Sequence, residues 1–342
     1  MEDILTKYDN DPNYTVVSYL QVESRLPMLY VMCGLQCSGK STKAKELKKM
    51  LDEYGDPDYK TVILSSDEIR KEHPEIADDN NKVFQKLYAD MNYFLRFGDN
   101  VIIDATNITN KSRRQIFNNL HEDCGKCCWI MNTNYNTCLE RLRERNKQED
   151  SHKVPEEVLK RYLESFEIPF YEEGWDAIYM ENHIDFEESD ENITRYLNAC
   201  EGFDQKNKHH TQDLGQHMRT VAQKLNELTG KRLLIEAGSF HDVGKLFTQS
   251  IGEDGNCHYY NHDSVGTYNL MCNTGQYTFK DGWVYDTDVT LKWLFYINYH
   301  MKLHNVTTEK SIRKWNNILG EENYEDLRIF EQADKWRENN SG

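Results

Sequence analysis

The first half of the chain alternates short apolar runs with longer charged segments. The runs fall at residues 29–33, 61–64, 101–103, 127–131 and 177–180. Each has the length and composition of a buried strand. Between them, residues 41–53, 81–97, 111–120 and 136–145 are charge-rich and helical in pattern. This alternation predicts a parallel sheet with crossover helices on both faces. In such sheets ligands lie at the carboxyl ends of the strands, so the residues just after each run are where chemistry is expected. Beyond about residue 200 the apolar spacing turns helical almost throughout, at 214–228, 233–240, 264–271, 289–299 and 324–336. That half is expected to be all-α. Residues 181–192 (ENHIDFEESDEN) carry only acidic charge. The predicted organisation is therefore an α/β domain over 1–180, an acidic linker or connecting helix over 181–200, and an all-α domain over 201–342.

Composition agrees with two domains, since 342 residues exceed one ordinary core. No apolar run reaches membrane-spanning length, and Met1-Glu2-Asp3-Ile4 does not open a signal peptide. The expectation is a cytoplasmic protein with no membrane partner. Nine cysteines at irregular spacing suggest reduced thiols. Cys124 and Cys127 form a C-x-x-C without the second pair that a structural zinc site needs. The net charge of −17 argues against a broad electrostatic grip on nucleic acid. It leaves room for an enzyme that holds only the end of a strand.

The most specific motif is Gly34-Leu35-Gln36-Cys37-Ser38-Gly39-Lys40-Ser41-Thr42, which follows the first apolar run and precedes a helical segment. It fits the phosphate-loop pattern G-x-x-x-x-G-K-[ST] in the context that pattern requires. Gly34 and Gly39 let the backbone wrap phosphate oxygens, with Ser38 and Thr42 in the same cradle. Lys40 can reach the outer phosphates of ATP or another nucleoside triphosphate, and the Ser41 hydroxyl can ligate magnesium. After the second run comes Ser65-Ser66-Asp67-Glu68-Ile69-Arg70, and after the third Asp104-Ala105-Thr106-Asn107, with Arg113-Arg114 beyond. Phosphoryl transfer needs a carboxylate for the proton of the attacking hydroxyl and cations for the moving charge. Asp67 suits the first role or a plain helix N-cap. Asp104 suits either an acceptor contact or a magnesium residue. Arg141 and Arg145 are candidates for a lid that closes over the triphosphate.

These residues resemble the phage and bacterial polynucleotide 5′-kinase family of P-loop phosphotransferases, over roughly residues 26–180. The matching motifs are GxxxxGKS at 34–41, SxDxxR at 65–70, DATN at 104–107 and RN…VP at 145–155. The resemblance implies that Asp67 is the general base and that Arg70 contacts the acceptor-side phosphate. It also implies that Asp104, Thr106 and Arg113 or Arg114 hold the acceptor nucleotide. At the lid the chain departs from the family, because Glu149 stands where some members carry a second arginine.

The second half holds a different constellation: His217, the segment Phe240-His241-Asp242-Val243-Gly244-Lys245, His262, His300 and Ala333-Asp334. Imidazole and carboxylate ligands suit borderline and hard divalent metals. Over roughly residues 203–337 the chain resembles the HD phosphohydrolase superfamily, an all-α metal-dependent fold. The resemblance implies that His217, His241, Asp242 and Asp334 ligate a first metal. It implies that His262 and His300 bind a second metal or the scissile phosphate, and that Lys245 binds the phosphate. Manganese, cobalt, nickel or zinc would serve better than magnesium. His210, beside His209, is a candidate substrate contact, and His304 has no assigned role.

A 5′-kinase joined to an HD phosphohydrolase resembles the bifunctional enzymes that heal broken RNA ends. It implies RNA or DNA ends as substrates and an RNA ligase as a further partner. Two other readings compete. One is a small-molecule or nucleotide kinase fused to a nucleotide-clearing hydrolase. The other makes the P-loop half a nucleotide sensor that controls the hydrolase.

Overall fold

In the computed structural model the described residues are 26–55, 57, 60–148, 153–181, 186–206, 212–253, 255–274 and 287–336. They pack as two units. The first comprises the described residues through Asn107, Lys111–Met131 and Gly174–Tyr179; the second comprises Ile108–Asn110, Asn132–Glu173 and the described residues from Met180 onward.

The first unit is built on β1 (Met28–Cys33), six residues without exposed surface. A strand that is apolar on both faces belongs in the interior of a parallel sheet. The sheet order is β2-β3-β1-β4-β5, with β2 at Thr61–Ser65, β3 at Asn100–Asp104, β4 at Gly125–Ile130 and β5 at Ala177–Met180. β1 runs parallel to both β3 and β4, and β2 parallel to β3, with Ser65 paired against Asp104. The ends of β2 and β3 therefore bring their two motifs side by side.

α1 (Lys40–Tyr54) buries Ala44, Leu47 and Leu51 on one face, against a core that includes Tyr30, Met32, Ile102 and Trp129. α2 (Ser66–Glu72) is a short helix that follows β2 directly. α3 (Asn80–Arg96) begins at the Asp79 cap, which accepts from Asn81 N and Lys82 N, and buries Val83, Leu87, Met91 and Leu95. α4 spans Asn110–Asn118.

The second unit is mainly helical. It contains α5 (Tyr135–Lys147), α6 (Glu156–Glu164), α7 (Phe186–Cys200), α8 (Leu214–Leu228), α9 (Arg232–Gly238) and α10 (Lys245–Thr248). It continues with α11 (His262–Thr274), α12 (Thr287–Tyr299), α13 (Glu309–Leu319) and α14 (Glu321–Asp334). α7 occupies the acidic stretch expected to be a linker or connecting helix. α12 is apolar nearly all round, as a helix buried in a helical core must be. Phe170 packs on Phe295 and Tyr299, and Phe240 meets Trp293 edge-on. The expectation of an all-α second half needs one correction. A small antiparallel hairpin, β6 (Ser250–Ile251) with β7 (Cys257–His258), precedes α11. Its strands are two residues long and leave no alternating pattern to read.

Candidate functional sites: a phosphate loop and a histidine–aspartate cluster

The phosphate loop leaves β1 at Gly34, whose N–H donates to the Thr106 carbonyl at 3.0 Å. A methyl group on Gly34 would lie 2.8 Å from Ser38 Oγ and 2.9 Å from Met131 Cβ, so only glycine fits there. Gly39 closes the loop at φ 97° and starts α1. Lys40 is 7% exposed, and its Nζ donates to the Gly34 and Leu35 carbonyls at 3.1 and 2.7 Å. The ammonium is thus held inside the loop. Ser41 and Thr42 are exposed at the start of α1.

The neighbouring strand ends bring up the acceptor-side residues. Asp67 is exposed in the first turn of α2. Arg70, one turn on, is held by the Ala77 carbonyl and by Asn80 Oδ1. Asp104 is 9% exposed at the end of β3, and Thr106 is half-buried. Asn107 takes φ 45°, and its Nδ2 donates to the Met32 carbonyl at 2.9 Å, which ties the DATN turn to β1. Arg113 and Arg114 separate. Arg113 is fully buried and donates from Nη1 to the Asn107 carbonyl at 3.0 Å, whereas Arg114 is exposed.

In the second unit, Arg141 is exposed and Arg145 half-buried on α5, while Arg143 forms a two-pronged pair with Glu156 on α6 at 2.7 Å. Asn146 makes reciprocal hydrogen bonds to Val154, donating at 2.7 Å and accepting at 3.1 Å. Asn146 and Val154, central to RN…VP, are therefore the two ends of a backbone clamp.

The second-unit cluster draws on distant segments. His217 lies in the first turn of α8, His241 and Asp242 in the turn after α9, His262 at the start of α11, His300 just past α12, and Asp334 at the end of α14. Asp242 Oδ2 is 3.3 Å from both His217 Nε2 and His241 Nε2. Asp334 Oδ1 is 3.2 and 3.5 Å from the same two nitrogens. On the other side, Asp242 Oδ1 is 3.0 Å from His262 Nε2 and 3.9 Å from His300 Nε2, which are 3.3 Å apart. One carboxylate therefore faces two donor sets with its two oxygens.

Apart from the 3.9 Å between Asp242 Oδ1 and His300 Nε2, these distances fit donors shared by a divalent cation. Ligands about 2.0–2.2 Å from one ion lie roughly 3.0–3.5 Å from each other. Nδ1 of His241, His262 and His300 lies 2.7–2.8 Å from the carbonyl of Gly238, Tyr259 and Ile297 respectively. A carbonyl only accepts, so each ring keeps a proton on Nδ1 and turns Nε2 toward the cluster. Buried Nε2 of His241 meets its carboxylate neighbours without a well-formed hydrogen bond. The site selects for positive charge. Burial opposes protonation of His241, yet Asp242 and Asp334 push its pKa up to about 10. Burial would also raise Asp242, but Lys245 and the histidines hold it well below the usual carboxylate range. His300 goes the other way, pushed down by its burial and by His241 and His262.

Gly244 explains why the motif needs glycine. A methyl there would sit 1.9 Å from the His262 carbonyl, so the turn carrying Asp242 packs backbone to backbone on α11, opposite Gly266. Lys245 Nζ lies 2.6 Å from Asp242 Oδ2 and donates to Gln205 Oε1 at 3.0 Å. His304 Nε2 lies 3.3 Å from Asp334 Oδ2 and joins the cluster from outside. His209 and His210 lie outside the described residues.

Sequence reasoning missed Gly266, Gln205 and the clamp of Asn146, and left His304 without a role. Gly266 did carry a signal, since glycine inside a helix is costly without a packing reason. The non-glycine residues of positive φ are Cys37, Asn107, Lys206 and Asn261 among the described residues. Two lie in the phosphate-loop site and two beside the histidine cluster, which is where strained backbone tends to concentrate.

Comparison with known proteins bears on the first half of the chain. Residues 29–169 match the AAA domain family. The L-seryl-tRNA(Sec) kinase of Methanococcus maripaludis is 33% identical over 162 residues, 44% of this chain and 56% of that protein. The chain therefore spans little more than half of that relative's length. Among solved structures, a chain of the Pnkp1/Rnl/Hen1 RNA repair complex aligns at TM-score 0.34 and 20% identity, covering 40% of this chain and 43% of its own. A chain of the PezAT toxin–antitoxin system of Streptococcus pneumoniae aligns at TM-score 0.32 and 16% identity, covering 50% of this chain and 79% of its own. Likenesses of that size carry no functional argument. No helix among the described residues is long and apolar enough to cross a membrane. Residues 29–169 thus carry a P-loop kinase-like domain, with a parallel sheet flanked by helices.

Proposed function

We propose that the chain is a bifunctional enzyme that handles phosphate at nucleic-acid ends, an ATP-dependent 5′-hydroxyl kinase joined to a metal-dependent phosphohydrolase of the HD type. The observation that carries the reading is the split carboxylate of Asp242, facing two histidine sets, in a chain that also holds an intact phosphate loop. One site is equipped to add a phosphoryl group and the other to remove one.

In the kinase, Lys40 and the loop N–H groups cradle the triphosphate, Ser41 would hold magnesium, and exposed Asp67 accepts the proton of the attacking hydroxyl. Arg70 and Arg114 bind acceptor-side phosphate, with Thr106 and Asp104 orienting the acceptor. Arg113 positions the DATN turn, and Arg141 or Arg145 supplies the lid charge. In the hydrolase, His217, His241, Asp242 and Asp334 would hold one divalent ion, and His262 and His300 with Asp242 a second. Ions there would lower the pKa of bound water and polarise the phosphoryl group. Lys245 meets the substrate phosphate. The substrate is a 2′,3′-cyclic phosphate or 3′-phosphate end, and an RNA ligase acts on the healed product.

A second reading has its own support. The identity to the seryl-tRNA(Sec) kinase favours an acceptor hydroxyl carried on transfer RNA. The two separate in one experiment, in which the full chain is given ATP with a 5′-OH oligoribonucleotide, then with seryl-tRNA. A second assay offers an oligoribonucleotide ending in a 2′,3′-cyclic phosphate with manganese. Phosphorylation of the oligonucleotide, lost in Lys40→Ala and Asp67→Ala while cyclic-phosphate opening persists, is the expected result. Transfer to seryl-tRNA alone would overturn the end-healing assignment, and unimpaired transfer by Asp67→Ala would remove the general base.

A further inference from the structure

The segment entering α11 alternates inward and outward residues. Cys257 and Tyr259 are buried, His258 is half-buried, and Tyr260 is 69% exposed. The rings of His258 and Tyr260 lie parallel, 5.4 Å between centroids and 7° between planes. A single exposed ring needs no explanation. Here a second ring is held parallel to it on an anchored strand.

Tyr259 supplies the anchor from the buried side. Its hydroxyl donates to the Gln205 carbonyl at 2.6 Å and accepts from Gln249 at 2.8 Å, and its carbonyl holds Nδ1 of His262. Cys257 N–H donates to the Lys206 carbonyl at 3.0 Å, which sets the exposed Lys206 along the same strand. Asn261, at φ 59°, then turns the chain into α11, so that His262 immediately joins the cluster. Two residues span at most about 7 Å of backbone, so the exposed pair is carried on the chain segment that leads directly into His262.

We propose that His258 and Tyr260 form a stacking platform for the nucleobase of the terminal nucleotide whose phosphate is processed at the histidine–aspartate cluster. The proposal rests on the phosphohydrolase reading above and names how its substrate is gripped. Every base has a face to stack, so a platform without base-edge donors tolerates any sequence. Lys206 beside it suits the anionic backbone. A chain of net charge −17 cannot hold a strand by charge alone, and stacking supplies the missing affinity without it.

The test uses the full chain with manganese and compares adenosine 2′,3′-cyclic phosphate with the base-free ribose 2,3-cyclic phosphate. Tyr260→Ala should raise KM for the adenosine substrate by roughly 5- to 150-fold, the range for loss of one base stack. It should leave kcat and the base-free substrate unchanged, and Tyr260→Phe should restore KM. A second readout avoids catalysis, because a 3′-terminal 2-aminopurine on a short oligoribonucleotide should lose fluorescence on binding wild-type chain but not Tyr260→Ala. Equal effects on both substrates, or quenching that survives Tyr260→Ala, would overturn the platform. If neither substrate is hydrolysed, the phosphohydrolase reading fails, and the quenching alone then decides whether a base stacks there.

Discussion

Asp242→Asn tests whether one carboxylate serves two cations. The substitution keeps the side-chain volume and removes the charge. Asp242 Oδ2 lies 3.3 Å from two imidazole nitrogens and Oδ1 lies 3.0 Å from a third. Tight four-donor sites bind zinc with about 10–16 kcal/mol, or about 2.5–4 kcal/mol per donor. Each ion should therefore bind roughly 70- to 900-fold more weakly. Because the donor is shared, both ions should weaken together. His217→Gln should weaken only the first ion and His262→Gln only the second, since these side chains touch different oxygens of Asp242.

The assay is calorimetric titration of chelator-stripped protein with manganese, with far-ultraviolet circular dichroism to confirm that each variant is folded. Wild type should take up two ions. Asp242→Asn retaining two equivalents within about tenfold of wild-type affinity would refute the shared ligand. Identical effects of His217→Gln and His262→Gln on a single ion would refute the two-set geometry.

Two further outcomes follow from other parts of the structure. Arg113→Ala should cost about 2–3 kcal/mol of stability, because it removes a buried charged hydrogen bond to the Asn107 carbonyl. Arg114→Ala should leave the melting curve unchanged, raise the acceptor KM, and make the slope of log affinity against log salt shallower by about 0.7; the reverse pattern would exchange their roles. Burial lifts the thiols of Cys124 and Cys200 to about 12, above their unfolded value, so the stability they contribute is complete below about pH 8.5 and is lost as pH rises toward 12. Unfolding free energies from denaturant titrations should fall by about 2 kcal/mol per thiol between pH 8 and pH 10, and Cys124→Ser should flatten that slope; a slope unchanged in Cys124→Ser would contradict the assignment.

The parallel sheet was readable because its inner strands are apolar on both faces. β1 is six buried residues in a row, a run too short for a helix and too uniform for a surface strand. Two amphipathic helices were nonetheless passed over, although α13 spaces Ile312, Trp315, Ile318 and Leu319, and α6 Val158, Leu159, Tyr162 and Leu163, at helical intervals. α11 poses a different problem. Buried almost all round, it carries no polar face to mark its limits, and the expected start at 264 missed His262 because that histidine is buried in the cluster.

At the sites, composition shows which atoms could do chemistry, and packing decides which of them face it. The chain reads Arg113-Arg114, two equivalent cations, but α4 turns one into the interior and the other outward. The same helical arithmetic splits 141–145, where Arg143 pairs with Glu156 on α6. In the second unit His241 and Asp242 stood out in His-Asp-x-Gly-Lys, yet nothing in the motif says that Asp242 divides its oxygens between two histidine sets. That follows from Gly244 and Gly266, whose missing side chains let the turn approach α11 until His262 reaches the second oxygen. A methyl at Gly244 would collide with the very residue that brings the second histidine. The way one carboxylate comes to face two histidine sets is thus written in the two residues of the site that carry no donor at all.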